Sequence, residues 1–136
     1  RINTSKVWGI TDYPYCQAAV APEGRRVHIA GQVAWTVDRR LVGLDDPIAQ
    51  TEKTIDNIEA ILAGMGGLSE EVVSVTMYYV RDADLGAIRD VRGRRFALAY
   101  GPASTGVKVA GLVQPELLVE MSAIAVIPDA RFQIRV

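Results

Sequence analysis

The segment from Leu117 to Ile127 constrains this chain more than any other. Read as a strand, it sets Leu117, Val119, Met121, Ala123 and Ala125 on one face and Leu118, Glu120, Ser122, Ile124 and Val126 on the other. Both faces are largely apolar, which is the pattern of a strand buried on two sides. The remaining sequence offers two helices, enough to cover one face of a sheet. In a chain of 136 residues the cover for the second face is another copy of the chain. A homo-oligomer is therefore expected.

The other elements follow from periodicity and punctuation. Gln17 to Ala21 is a short extended run, closed by a turn at Pro22-Glu23-Gly24. Arg26 to Val33 reads as a strand with Val27, Ile29 and Gly31 on one face and His28, Ala30 and Gln32 on the other. Val37 to Leu44 is a loop or hairpin. Asp46 suits a helix N-cap and Pro47 the first helical position. The stripe Ile48, Ile55, Ile58, Leu62, Met65 then runs to Gly66-Gly67. A strand at Val72 to Val80, a second helix from about Asp84 to Ala99, and strands at Thr105 to Leu112 and Leu117 to Ile127 complete the order ββ(β)αβαββ. The expected class is α+β.

Composition excludes several functions. The 15 Lys and Arg against 16 Asp and Glu leave a formal net charge of −1, which argues against a nucleic-acid binder with a broad basic surface. With a single cysteine, Cys16, and a single histidine, His28, neither an internal disulfide framework nor a Cys/His metal cluster is available, and no cofactor is expected. With 49% hydrophobic and 23% charged residues, residues 1–136 are expected to form one globular domain. No apolar run reaches the ~20 residues of a membrane helix. Arg1 to Ser5 lack the basic-then-apolar layout of a secretion signal, so a cytoplasmic setting is expected.

Several residues have the chemistry of a site. Glu120 is a carboxylate inside an apolar strand, which costs energy unless it is paired or used. It serves either a site or a structural ion pair at an interface. On the second helix, Leu85, Ile88, Phe96 and Ala99 define an apolar face with Arg92 near its centre, flanked by Arg89 and Arg95. A guanidinium there either clamps an anion or lays its stem over the core. The stretch Gly101-Pro102-Ala103-Ser104-Thr105-Gly106 allows close approach to backbone. Ser104 has no histidine near it in sequence, which speaks against a Ser/His hydrolase. Tyr13-Pro14-Tyr15 is either a packed arm or a source of a phenol for a cleft.

Taken together, Pro14-Tyr15-Cys16-Gln17, Ala30-Gly31-Gln32, the helix from Asp46 through Asn57 to Gly66, and Val119-Glu120-Met121-Ser122-Ala123-Ile124-Ala125 resemble the Rid family, the YjgF-type reactive intermediate deaminases. The resemblance spans about residues 13 to 128. Gly111-Leu112-Val113-Gln114-Pro115 and Leu118-Val119-Glu120 are similar to its RutC branch. It implies a chorismate-mutase-like fold: about six strands with two helices on one face, assembled as a homotrimeric barrel with small-molecule clefts between subunits. In deaminating members an arginine directly after Pro-Ala binds the substrate carboxylate, and water hydrolyses an enamine or imine to a ketoacid and ammonia. The resemblance gives Glu120 the role of orienting that water, brings Tyr15 from the adjacent subunit, and lines the cleft with the backbone at Gly31 and the loop holding Ser104 and Thr105.

The sequence departs from that pattern at Pro102-Ala103-Ser104, where serine stands in place of the arginine. A hydroxyl cannot supply the charge-assisted fork, which argues against 2-aminoacrylate-like substrates. Arg89 lies where many members carry a neutral amide, and Arg92 where an aromatic is common. Either offers a positive charge from a new direction, for a different or larger acid. The expected function is hydrolysis of an enamine- or imine-type metabolite; the alternative is a non-catalytic, metabolite-binding or regulatory trimer. Ribonuclease activity, also attached to the family, finds no basic stripe and no paired histidines here.

Overall fold

A computed structural model describes residues 1–9, 13–96 and 101–135. Its elements run β1 (Arg25–Gln32), α1 (Pro47–Ala63), β2 (Val72–Tyr79), α2 (Leu85–Arg95), β3 (Ala103–Lys108) and β4 (Val119–Ile127). The strands form one mixed sheet in the order β1-β4-β2-β3. β4 is antiparallel to both neighbours, and β3 runs parallel to β2 after the α2 crossover.

The class is α+β as expected, but the sheet has four strands among the described residues, not six. Gln17–Ala21 joins no sheet and contributes one isolated bridge, Ile2 to Ala18. The Val37–Leu44 stretch is a loop closed by the Trp35–Leu41 bridge. β3 starts earlier and stops sooner than its apolar run suggested. Its partner β2 ends at Tyr79, whose carbonyl takes the Val109 N–H at 2.9 Å, and beyond that no ladder remains. The second helix starts at Leu85, after a short 3₁₀ turn at Asp82–Asp84, and its cap is Phe96. Ala99, assigned to its apolar face, lies outside the described residues.

α1 begins as its sequence dictates. The Asp46 carboxylate accepts the Ala49 N–H at 3.0 Å, and Pro47 occupies the first turn, where its missing N–H costs nothing. Asp46→Ala is expected to lower stability by about 1 kcal/mol, read as a fall of about 3 °C in Tm. Gly66, at φ +76°, turns the chain after the helix; a side chain there would run into the Arg131 carbonyl. The C-terminal residues return to the same place: Gln133 and Arg135 donate their N–H groups to the Met65 and Gly64 carbonyls.

Ile29, Val75, Met77, Met121 and Ala123 form one sheet face and pack against Ile55, Ile58 and Leu62 of α1 and Ile88 and Val91 of α2. Ile48, placed in the α1 stripe by its spacing, is instead half exposed. The opposite sheet face carries His28, Ser74, Thr76, Tyr78, Glu120, Ser122 and Ile124, with Thr105 level with Thr76. Along β4, Val119, Met121, Ala123 and Ala125 are buried while Glu120, Ser122 and Ile124 are only half buried. The helices thus cover one face, and the described residues leave the other largely uncovered.

Candidate functional site

Two concave regions hold the residues singled out by sequence, and they lie on opposite faces of the sheet. The first is a cavity of about 410 Å³ between α2, the β2–β3 edge and the Tyr13–Tyr15 segment. Met77, Tyr79, Ser104 and Gly106 form its sheet side; Leu85, Gly86, Arg89 and Arg92 form its helix side. Its volume falls in the range of small-molecule sites. The aromatic arm is fastened there by the backbone. Cys16 donates its N–H to the Pro102 carbonyl at 3.0 Å, and a side chain on Gly101 would sit 2.9 Å from the Pro14 carbonyl oxygen.

The three arginines that sequence placed around the α2 apolar face go to three different partners. Arg95 turns to α1 and meets Glu52, Asp56 and Glu59 at 2.6, 2.8 and 2.7 Å. Arg89 stays half exposed at the cavity rim, its guanidinium 5.9 Å from the Tyr13 ring centroid and 3.8 Å from Asp90. Arg92 is buried, with 4% of its surface exposed. Its Nη2 donates to the Ser104 hydroxyl at 2.7 Å, its Nη1 faces the Met77 sulfur at 4.0 Å, and its Nε has no partner. Burial pulls the Arg92 guanidinium down to about 10, against an opposing pull from Tyr15. The Tyr15 phenol is shifted upward, first by burial and then by neighbouring Tyr13, with Arg92 acting the other way.

Serine stands at the Pro-Ala-Arg position, and an arginine of α2 lies against it. The guanidinium of Arg92 rests on the side chain of that serine, Ser104. The helical spacing of Leu85, Ile88 and Phe96 signalled Arg92's burial. It missed Val91, which is fully buried, and put Leu85 in the core, whereas that residue reaches the cavity partly exposed.

The second region, about 240 Å³, lies on the uncovered face and is lined by Gly31, Tyr78, Val109, Gly111, Leu112, Glu120 and Ser122. Glu120 is level with Tyr78 in the β4–β2 ladder. Gly31 was assigned to the face of Val27 and Ile29. A register shift between Ile29 and Gln32 breaks the alternation, and Gly31 instead abuts the Glu120 carboxylate. A side chain at position 31 would collide with that carboxylate where it now lies, so the carboxylate would have to turn aside.

The expected constellation thus splits. Tyr15, Arg89, Arg92 and Ser104 share one cavity; Gly31 and Glu120 share another region; Thr105 lies on the Glu120 face, away from Ser104. Within one chain Tyr15 and Ser104 line the same cavity, the Cys16–Ala103 bridge tying the arm to the start of β3. Among the described residues no group of three His, Cys, Asp or Glu side chains is arranged to hold a metal ion, and no helix is long and apolar enough to cross a membrane.

The fold and these regions define a small α+β protein with a ligand-sized cavity and a carboxylate on the back of the same sheet. The profile of the family described as Endoribonuclease L-PSP matches residues 10–127. Protein DfrA of Myxococcus xanthus is 32% identical over 113 residues, 83% of this chain and 85% of its own. A RutC family protein of Pyrococcus abyssi is 33% identical over 112 residues, 82% of this chain and 85% of its own. The crystal structure of YyfB from Yersinia pestis, described as a protein of unknown function of the conserved Rid family, superposes with a TM-score of 0.86 at 34% identity, covering 93% of this chain and 96% of that one. The chain belongs to the Rid (YjgF/RutC) family.

Proposed function

We propose that the protein hydrolyses an enamine- or imine-type metabolite to an oxo compound and ammonia, in clefts completed between the subunits of a homotrimer. The observation that carries this reading is the state of Glu120. It is a half-buried carboxylate in a concave region, with no hydrogen-bond or ion-pair partner among the described residues and with glycine kept clear beside it. A structural carboxylate on a strand is normally paired; an unpaired one in a hollow suits a base for water.

The chemistry follows from that position. An enamine first tautomerises to its imine. Water then adds through oxygen to the imine carbon, and Glu120 takes its proton as the C–O bond forms. The protonated carboxyl passes that proton to nitrogen, giving a carbinolamine; the carboxylate then carries the carbinol O–H proton to nitrogen, and as the C–N bond breaks ammonia leaves and the carbinol oxygen becomes a carbonyl. Backbone N–H groups near the reacting centre give electrostatic support. Because Glu120 and the Ser104 cavity lie on opposite faces of one sheet, a ligand held in the cavity meets a glutamate only from a second copy. The uncovered face of Ser74, Thr76, Ser122 and Ile124 supports such an assembly.

The test is ammonia release from enzymatically generated 2-imino acids, with solution mass measured in parallel. The expected mass is about three times the 14.8 kDa chain. Glu120→Ala is expected to reduce the rate by roughly 10²-fold or more without changing that mass. A monomer, or full activity in Glu120→Ala, removes the reading. Ser104 in place of arginine favours the second reading, a trimer that binds a metabolite without turnover. A wild type that is silent on every 2-imino acid while a Ser104→Arg variant gains activity would select it.

A further inference from the structure

We propose that Arg92 is the anion anchor of the α2–β3 cavity, and that the cavity takes a small acid whose body is apolar or aromatic. The assignment rests on the reading of this cavity as half of the ligand cleft, but not on whether the bound molecule is hydrolysed.

Three features single out Arg92. Each of the other α2 arginines has a carboxylate partner: Asp90 for Arg89, Glu52 for Arg94, and Glu52, Asp56 and Glu59 for Arg95. Arg92 is the most buried of them and meets no carboxylate among the described residues. Taking a guanidinium out of water is costly unless an anion meets it, so a buried, acid-free arginine in a cavity wall is a charge held ready for one. Second, its hydrogen-bonding capacity is not used up. A guanidinium has five N–H donors, and the strong acceptor here is the single Ser104 hydroxyl; Met77 is a weak one, and Nε has none. Ser104 steadies one arm of the fork and leaves donors for a carboxylate.

The third feature is the shape and lining around the charge. Tyr15, Met77, Tyr79 and Leu85 give the cavity its apolar surface, and Gly106 contributes no side chain to fill it. A space of about 410 Å³ is larger than the smallest carboxylic acids occupy, and these walls reward apolar area. Arg89 is the less suitable anchor, being half exposed and engaged with Asp90 and the Tyr13 ring.

Isothermal titration with three probes tests this: phenylacetate, its neutral amide phenylacetamide, and acetate. The wild type is expected to bind phenylacetate at least ~10-fold tighter than either, as a charge-assisted fork and an apolar pocket together require. Arg92→Met is expected to lose that preference, with phenylacetamide affinity unchanged. Arg92→Lys, which keeps charge but not the fork, is expected to fall between, and it keeps the assignment testable should Arg92→Met fail to fold. The double variant Arg92→Phe/Ser104→Arg is expected to regain acid preference, because the charge returns from the strand side. Equal binding of acid and amide by the wild type, or an undiminished acid preference in Arg92→Met and Arg92→Lys, overturns the assignment. These titrations read binding alone, so the anchor can stand where ammonia release fails, and the converse pattern would strike the anchor only.

Discussion

Gln50→Leu is expected to destabilise the protein by about 3–5 kcal/mol, although leucine matches the apolar surroundings and nearly fills the volume. Gln50 is fully buried near the start of α1. Its Nε2 donates to the Gly43 and Glu116 carbonyls, each at 2.9 Å, and its Oε1 accepts the Leu118 N–H at 2.9 Å. One amide thus satisfies three backbone groups from two loops. Leucine would leave the Glu116 carbonyl and the Leu118 N–H without partners, at about 1–3 kcal/mol for each that water cannot reach, while the Gly43 carbonyl would keep only the Asp46 N–H. Urea denaturation should show a lower midpoint, and Tm should fall by roughly 10 °C. Amide exchange adds a local signature. The Leu118 N–H, at the entry to the strand that carries Glu120, should lose protection ahead of the β4 core. A shift in stability below 1 kcal/mol would mean that the loops find other partners and that Gln50 is not their clasp.

Gln50 also shows where sequence reading runs out. The Asp46-Pro47 start and the Ile55, Ile58, Leu62 stripe of α1 were legible because a cap and a period each leave a local mark. A glutamine between apolar positions of a helix looks like solvent-facing filler, and its partners lie 7, 66 and 68 residues away. The same limit governs the site. The position of Arg92 in an apolar stripe announced its burial, since that follows from helical geometry alone. Its contact with Ser104 depends on how α2 lies over β3, which no spacing reveals. Alternation placed Gly31 on the wrong face because a bulge breaks the period, and bulges have no reliable signature in so short a strand. The length of β3 was misjudged because a strand ends where its partner ends. Glu120 was legible for the opposite reason: a charge in an apolar alternating run stands out whatever surrounds it. One available signal went unused. Glu52, Asp56 and Glu59 repeat at helical spacing on one face of α1, opposite an arginine-rich helix.

That acidic face meets Arg95, and removing this guanidinium is the second large effect expected. Arg95 bridges Glu52, Asp56 and Glu59, and Glu59 also accepts the Ser69 hydroxyl at 2.7 Å. With 20% of its side chain exposed, Arg95 lies between a surface pair, worth little, and a buried one, whose loss strands its partners. Arg95→Met should therefore cost about 2–3 kcal/mol at neutral pH. Arg94→Met, which removes only one exposed contact to Glu52, should cost under about 1 kcal/mol. The pH dependence separates charge from packing. The hydrogen bond from Arg95 is the main reason the Glu52 carboxyl is held below its ordinary value of 4.5; burial opposes it and Arg94 assists it. A depressed carboxylate contributes its stability above the unfolded-state value and loses it as pH falls through the folded-state one. The gap between wild type and Arg95→Met should thus be full at pH 7 and narrow steadily below about pH 4.5, as the unfolded chain takes up protons that the native network resists. Screening at 1 M salt should narrow it too, though less, because the central guanidinium is partly shielded. A deficit of the same size at pH 7 and pH 3 would assign the loss to the packing of α2 on α1 and leave the charges with no measurable part in it.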